Sequence, residues 1–225
     1  MQIELNKTFL IEDWIILSLI LGFFLIGLLK KINSTRFLYL IRFYETIIYI
    51  KIYDKGQKSL KTNFFYFAVL FTLKTFSLSI YLLTNTIFNN FKGFYFFLLI
   101  LISLISLASI RLFLLYVFSI LFNYKEKFYK LIFASSTYYL QSSFLLFFSN
   151  LLLLFIFKSG IYQMYIMFAL SFLYLITKQL LFFLKNIKDL KSFFFYIILY
   201  LCAFKIFPWI LIFKGLSFLF IKNTI

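Results

Sequence analysis

Long apolar runs without polar interruption limit the possible folds of this chain more than any other feature. One such run is FYFFLLILISLISL, which begins at Phe94. The chain is 64% hydrophobic and only 13% charged, so it has too few polar residues to cover a soluble fold. A membrane β-barrel would require apolar and polar residues to alternate along its strands, and these runs are apolar on every side. The expected fold is therefore an all-α, polytopic bundle of transmembrane helices.

Six apolar runs approach or exceed the length of about 20 residues that a helix needs to cross the hydrocarbon core. The predicted spans are residues 11–29, 64–83, 94–121, 131–157, 161–183 and 192–213. We expect one integral membrane domain over residues 1–225, because no linker separates these runs. The first run follows a mildly acidic start and lacks an A-x-A cleavage pattern, which favours a retained span over a signal peptide. Trp14 is expected at its outer interface.

Basic residues are concentrated in alternate loops. Eight lie between Lys30 and Lys61, and six more lie in the loops at 125–130 and 185–191, whereas the outer segments hold five. Because short loops rich in Lys and Arg remain in the cytoplasm, this pattern predicts that both ends of the chain lie outside. The same bias accounts for most of the net charge of +16, so the lipid bilayer is an expected partner and nucleic acid is not.

The segment between the first two predicted spans, residues 33–53, has apolar residues at helical spacing. Arg36, Arg42 and Glu45 lie among them. This mixture predicts an amphipathic helix on the cytoplasmic face of the membrane. A docking surface for a partner protein is the alternative interpretation.

The predicted fourth span carries a polar pair every seven residues. The pairs begin at Ser135, Ser142 and Ser149, and the last pair ends with Asn150. A seven-residue repeat keeps one stripe of a helix against a neighbour, and small hydroxyl side chains allow close approach. We interpret this stripe as a packing seam, with the wall of a water-filled cavity as the alternative.

Four cations lie within predicted spans, and no acidic residue does. A cation in the middle of a bilayer costs at least about 2.5–3.5 kcal/mol on insertion scales. Lys178 lies near a span end, where its ammonium group can reach the interface. Lys74, Arg111 and Lys205 are candidate contacts for an anionic lipid or for a partner subunit, although backbone carbonyls or water could also satisfy them. Pro208 predicts a helix kink beside Lys205.

The last predicted span also carries a resemblance. Its Tyr200-Leu201-Cys202 motif, Pro208 and Lys214 resemble the C-terminal signature of an integral membrane family of Bacteroidota, the domain-of-unknown-function family 4271. The family pattern has an acidic residue where this chain has Lys205. The resemblance implies a six-span layout and an inner-membrane location, with no established activity.

Catalysis is not expected from this composition. The chain has no histidine, one cysteine without a neighbouring base, and no carboxylate in a predicted span, so we expect no catalytic, cofactor or metal site.

The first hypothesis is a non-enzymatic subunit or scaffold of an inner-membrane envelope complex. The second is a transporter or lipid-handling protein that binds an anionic lipid, such as a polyprenyl phosphate, through Lys74, Arg111 and Lys205. Cations clustered around one cavity would favour the second hypothesis, and scattered cations the first.

Overall fold

The computed structural model describes residues 13–87, 93–121, 125–155 and 161–186, and within these ranges the fold is all-α, without strands. The helices in these ranges are α1 (Asp13–Ile32), α2 (Ser34–Ile41), α3 (Thr46–Tyr53), α4 (Gln57–Leu60), α5 (Asn63–Ile87), α6 (Phe94–Leu121), α7 (Lys125–Phe155) and α8 (Ile161–Asn186).

Four of the described helices are long and apolar enough to cross a membrane. The qualifying stretches are Asp13–Ile32, Asn63–Asn85, Phe94–Phe113 and Tyr129–Phe155, and α8 contributes a shorter apolar stretch, Tyr165–Leu181. This part of the chain therefore indicates a helical membrane protein. The predicted sixth span at 192–213, with Lys205 and Pro208, lies outside the described residues.

Most of the long helices begin close to the first residue of the predicted span, and α7 is the clear exception. Helices α5, α6 and α8 begin within one residue of the predicted positions 64, 94 and 161. Helix α7 begins at Lys125 rather than at 131, because the polar turn from Lys125 to Lys130 continues the helix beyond the apolar run. Hydropathy detects only the apolar part of a helix, so it misses such an extension.

Helices α5 and α7 form the centre of the bundle. In each of these two helices, 61% of the most apolar 18-residue stretch is buried, whereas in α6 the buried share is 11%. Helix α1 packs on α5, α8 packs on α7, and α6 packs mainly on α5. Hydroxyl side chains on α5 tolerate this burial because they donate to carbonyls of their own helix, as Thr75 does to Phe71 and Ser79 to Thr75.

Aromatic side chains pack together at one end of the bundle. The ring centre of Trp14 lies 4.8 Å from that of Tyr81 and 5.2 Å from that of Phe97. The amide of Gly93 donates to the Tyr81 hydroxyl over 3.2 Å, and Gly93 has a φ of 107°, which favours glycine. The start of α1, the end of α5 and the start of α6 therefore meet at this end, so α5 and α6 run antiparallel.

The connecting segment, residues 33–62, differs from the single helix predicted over 33–53. It contains α2, a 3-10 turn at Phe43–Glu45, α3 and α4. The helix is interrupted at Arg42, where ψ is 84°, and α2, α3 and α4 all pack against α7. Its buried residues are Arg36, Phe37, Leu40, Thr46, Tyr49, Ile50 and Ser59. Long-range packing against α7, which local periodicity does not report, accounts for the division.

Candidate functional site

A partly open groove of about 220 Å³ runs between α5, α6 and α7. Its walls are mostly apolar, with Val69, Leu73 and Phe76 on α5, Leu104 and Leu107 on α6, and Ile132 and Leu140 on α7. Two arginines also line it, Arg36 from α2 and Arg111 from α6. Among the described residues, the lining includes no Asp or Glu.

Arg36 is positioned by the start of α2. The side-chain oxygen of Asn33 accepts a hydrogen bond from the backbone amide of Arg36 over 2.9 Å, which caps the helix. The Arg36 side chain then enters the bundle, where the residue is only 5% exposed. Its Nε donates to the Tyr49 hydroxyl over 2.8 Å and its Nη1 to Thr62 Oγ1 over 3.2 Å. These bonds join α2 to α3 and to the start of α5.

Four aromatic rings surround the Arg36 guanidinium. Its central carbon lies between 4.5 Å and 5.7 Å from the ring centres of Phe64, Tyr53, Phe133 and Tyr49. Ring faces attract a cation, and a desolvated pair of this kind contributes up to about 2 kcal/mol. Within the described part of the chain, the side-chain hydrogen bonds and ring contacts of Arg36 are nevertheless all with neutral groups, so its full charge lacks an anionic partner there.

The phenol of Tyr49 remains protonated in this environment. Burial raises the pKa of Tyr49 to about 12, and the charge and hydrogen bond of Arg36 oppose that rise only in part. At neutral pH Tyr49 is therefore a neutral acceptor for the Arg36 Nε–H. It supplies no negative charge to the arginine.

Arg111 approaches α7 from α6. Its Nη2 donates to Ser135 Oγ over 2.8 Å, and its guanidinium carbon lies 5.3 Å from the ring centre of Tyr139. Arg36 contacts α7 at Phe133, only two residues from Ser135, which corresponds to about 3 Å along the helix axis. Both arginines thus reach the part of α7 between Phe133 and Tyr139, and both line the groove.

The groove therefore has one cationic end and one apolar end. From Phe64 to Phe76 its α5 wall runs about 18 Å, at 1.5 Å per residue. Guanidinium groups match carboxylate and phosphate oxygens, whereas Leu73, Phe76 and Leu104 favour hydrocarbon. The combination is complementary to a molecule with an anionic head and an apolar tail.

Lys74 does not line this groove. It is 6% exposed, and its Nζ donates to the backbone carbonyl of Ser18 on α1. The same nitrogen lies 5.7 Å from the ring centre of Phe147 on α7. A Cβ added to Gly22 would lie 2.9 Å from Lys74 Nζ, so this ammonium sits where α1 presents no side chain. Lys74 therefore connects α1, α5 and α7.

Gln141 forms a second polar junction, at which α7 holds the connecting segment. The residue is fully buried, and its Nε2 donates to the carbonyl of Leu40 over 3.0 Å. Its Oε1 accepts from the Tyr174 hydroxyl over 3.1 Å and lies 3.1 Å from Thr46 Oγ1. One side chain thus links α7 to α2, α3 and α8.

The polar pairs of α7 take up different positions. Ser142 is fully buried and donates to the carbonyl of Tyr139 over 2.8 Å, and half-buried Ser149 donates to Leu145 over 2.8 Å. Asn150 donates across to Ser79 on α5 over 2.9 Å. Of the first pair, Ser136 lines the groove and Ser135 accepts from Arg111, whereas Asn150 contributes to the contact between α5 and α7.

Sequence reasoning did not identify Arg36 and Gln141 as site residues. Arg36 lies among the basic residues that the positive-inside rule explains, although Asn33 can cap a helix there and the aromatic residues Tyr49 and Tyr53 follow. Gln141 is the single glutamine of the apolar run at 131–157 and precedes a serine pair, a position that favours a buried polar contact. Neither signal indicates which helix supplies the partner.

Comparison with known protein families identifies a family for this chain but no activity. The family described as Domain of unknown function (DUF4271) matches residues 15–216, which include all the groove-lining positions. No curated protein and no solved structure matches the chain significantly. Among the described residues, no group of three or more His, Cys, Asp or Glu could hold a metal ion.

Proposed function

We propose that this chain, which belongs to the family described as Domain of unknown function (DUF4271), is a non-enzymatic membrane protein that binds an anionic lipid. The observation that carries the proposal is the pair of arginines, Arg36 and Arg111, at one end of an apolar groove. They come from different helices, so the fold rather than local sequence brings them together. The proposed role is transport or handling of that lipid in the inner membrane.

The surroundings of Arg36 support an anion more strongly than a purely structural role. Burying a cation is costly, and ring faces and neutral hydroxyls offset only part of that cost. A phosphate or carboxylate at the groove would add charge-assisted hydrogen bonds, which are roughly twice as strong as neutral ones. The hydrocarbon of the same molecule would cover the apolar walls of Leu73 and Leu107.

The arrangement of the cations guides the choice between the two hypotheses from the sequence. Lys74 is held by the backbone of α1, as a scaffold role would predict. Arg111 shares the groove with Arg36, which was not among the three cations of the lipid hypothesis, and Lys74 lies elsewhere. We therefore propose Arg36 and Arg111 as the lipid contacts, with Lys74 as a contact between helices. A role for Lys205 remains a prediction, since it lies outside the described residues.

We further propose six spans in the inner membrane, with both ends of the chain outside and the connecting segment on the cytoplasmic face. The basis is the concentration of basic residues in alternate loops. Reporter fusions after Lys61, Lys130 and Lys191 are expected to report the cytoplasm, and a fusion after Lys92 the outside. A C-terminal fusion that reported the cytoplasm would contradict this topology.

Purification in a mild neutral detergent tests the lipid-binding proposal. We expect the wild-type chain to retain an anionic lipid, and both Arg36→Gln and Arg111→Gln to lose it at least about tenfold. Each change removes charge and bidentate donors from the groove. The measurement is the amount and class of lipid extracted per mole of purified protein.

The matched control is Arg42→Gln. Arg42 lies in the same connecting segment, but its side chain is 54% exposed and pairs with Glu45 over 3.4 Å at the surface. We expect this variant to retain the lipid in full. Equal lipid content in the wild type, Arg42→Gln and Arg111→Gln would contradict binding in the groove.

A further inference from the structure

We infer that residues 34–53 form a re-entrant segment, which enters the hydrocarbon core of the membrane from the cytoplasmic side and leaves it on the same side. This re-entrant segment consists of α2, the 3-10 turn and α3. Its outward face would contact acyl chains instead of water or a soluble partner protein. This placement rests on the proposed membrane topology, which it leaves unchanged, and it does not depend on lipid binding in the groove.

The re-entrant segment meets α7 well inside the apolar part of that helix. Gln141 donates to the Leu40 carbonyl, and its Oε1 lies 3.1 Å from Thr46 Oγ1. Gln141 is twelve residues beyond the start of the apolar stretch Tyr129–Phe155, which corresponds to about 18 Å along the helix at 1.5 Å per residue. Since this stretch contains 27 residues, the contact lies close to its middle.

Ring contacts with α5 lead to a similar depth. The ring centre of Phe37 lies 6.0 Å from that of Phe144, which lies 5.0 Å from that of Phe71 on α5. Phe71 is eight residues beyond the start of the apolar stretch Asn63–Asn85, which corresponds to about 12 Å. A helix that lies along the interface is buried only about 5–10 Å into the boundary between headgroups and acyl chains. The re-entrant segment therefore lies deeper than an interfacial helix.

The backbone carbonyls at the break between α2 and α3 have side-chain partners from the bundle. A helix end leaves carbonyls without partners in the helix. The Leu40 carbonyl accepts from Gln141 Nε2, and the Phe43 carbonyl accepts from Thr46 Oγ1 over 2.8 Å and from Lys178 Nζ over 3.4 Å. Because hydrocarbon supplies no water, non-helical backbone at membrane depth requires such partners within the protein.

The re-entrant segment is apolar on the face that the bundle does not cover as well as on the buried face. Aliphatic side chains between 43% and 52% exposed lie on the uncovered face, namely Leu38, Ile41, Ile47, Ile48 and Ile52. A helix that lies on a membrane surface turns a charged or polar face toward water. A helix that is hydrophobic all round is instead buried in protein or in lipid.

The charged side chains of this outward face are compatible with such a position. Arg42 pairs with Glu45 over 3.4 Å, and charged residues within membrane segments characteristically pair with one another. Lys51 is two residues beyond Tyr49, whose ring centre lies 5.8 Å from that of Phe133, close to the cytoplasmic end of the apolar stretch of α7. Lys51 is therefore nearer the interface, which its long side chain can reach.

The test measures the depth of nitroxide labels by electron paramagnetic resonance, on the full-length chain in phosphatidylcholine vesicles. The single native cysteine is removed by Cys202→Ser, and one label is attached after Ile41→Cys or Ile48→Cys. Both positions are exposed, so the label does not disturb buried packing. Collisions of the label with oxygen, which concentrates in hydrocarbon, are compared with collisions with a nickel chelate, which remains in water.

Two further positions calibrate the oxygen-to-nickel ratio. Leu70, which is 54% exposed on α5 and seven residues beyond Asn63, is the reference for hydrocarbon at a similar depth. Lys58, which is exposed on α4, is the reference for water. We expect the ratios at Ile41 and Ile48 to match that at Leu70 and to exceed that at Lys58 several-fold.

The outcomes separate the re-entrant segment from the topology on which it rests. Ratios at Ile41 and Ile48 as low as that at Lys58, or midway between the two references, would overturn the re-entrant segment and leave the spans intact. A low ratio at Leu70 as well would overturn both. The vesicles contain only a zwitterionic lipid, so the result is independent of any anionic lipid in the groove.

Discussion

Gly22→Ala is expected to destabilise the bundle by about 1–3 kcal/mol, although alanine is normally the better helix residue. A Cβ at this position would lie 2.4 Å from Cε2 of Phe147 and 2.9 Å from Lys74 Nζ. Phe147 is fully buried and packs against Phe71 and Phe23, so its ring has little room to move. We expect the melting temperature in detergent to fall by several degrees.

The same helix supplies the control. A Cβ at Gly27 would meet nothing within 4 Å, so Gly27→Ala should be neutral or stabilise α1 by up to about 1 kcal/mol. Gly22→Ala is therefore expected to lower the melting temperature, and Gly27→Ala to leave it unchanged or raise it. Equal shifts would contradict the close contact of Gly22 with Lys74 and Phe147.

Gln141→Leu is expected to release the connecting segment from α7. The change replaces the amide by an apolar side chain of roughly similar size and removes the hydrogen bonds of Gln141 to the Leu40 carbonyl and the Tyr174 hydroxyl. A buried polar group left unsatisfied costs about 1–3 kcal/mol, so we expect a total loss of roughly 2–5 kcal/mol. The measurement is the rate of tryptic cleavage at Lys51, Lys55, Lys58 and Lys61, which should rise.

Gln179→Leu is the matched control for this prediction. Gln179 is also buried, at 6% exposed, but its Nε2 has no hydrogen-bond partner in the described part of the chain. Removal of its amide is expected to leave stability unchanged or to raise it. If both glutamine variants resisted trypsin like the wild type, Gln141 would not hold the segment.

The sequence predicted the helical membrane class and the starts of three helices, because both depend on local hydropathy. The apolar runs at 64–83, 94–121 and 161–183 coincide with α5, α6 and α8 to within a few residues. The division of 33–53 could not be predicted, since it depends on where Leu40, Thr46 and Tyr49 meet α7. Hydrophobic periodicity reports which face is buried but not the helix that covers it.

The candidate site was predicted only in part for the same reason. Arg111 was identified because a cation within an apolar run is conspicuous on its own. Arg36 lies in a loop rich in basic residues, where the positive-inside rule already explains it. Its burial among four rings depends on Phe64 and Phe133, which are 28 and 97 positions away along the chain. Only the assembled fold brings the two arginines to one groove.

Site-directed photo-crosslinking in native membranes tests the central proposal, a lipid anion in the groove, most directly. A photoreactive amino acid at Leu107 would lie in the groove, whereas one at Ile102, which is 63% exposed, would lie on the outer face of α6. We predict that Leu107 captures one anionic lipid class, and that Ile102 captures lipids in the proportions of the surrounding membrane. Identical lipid mixtures at the two positions would contradict the proposal.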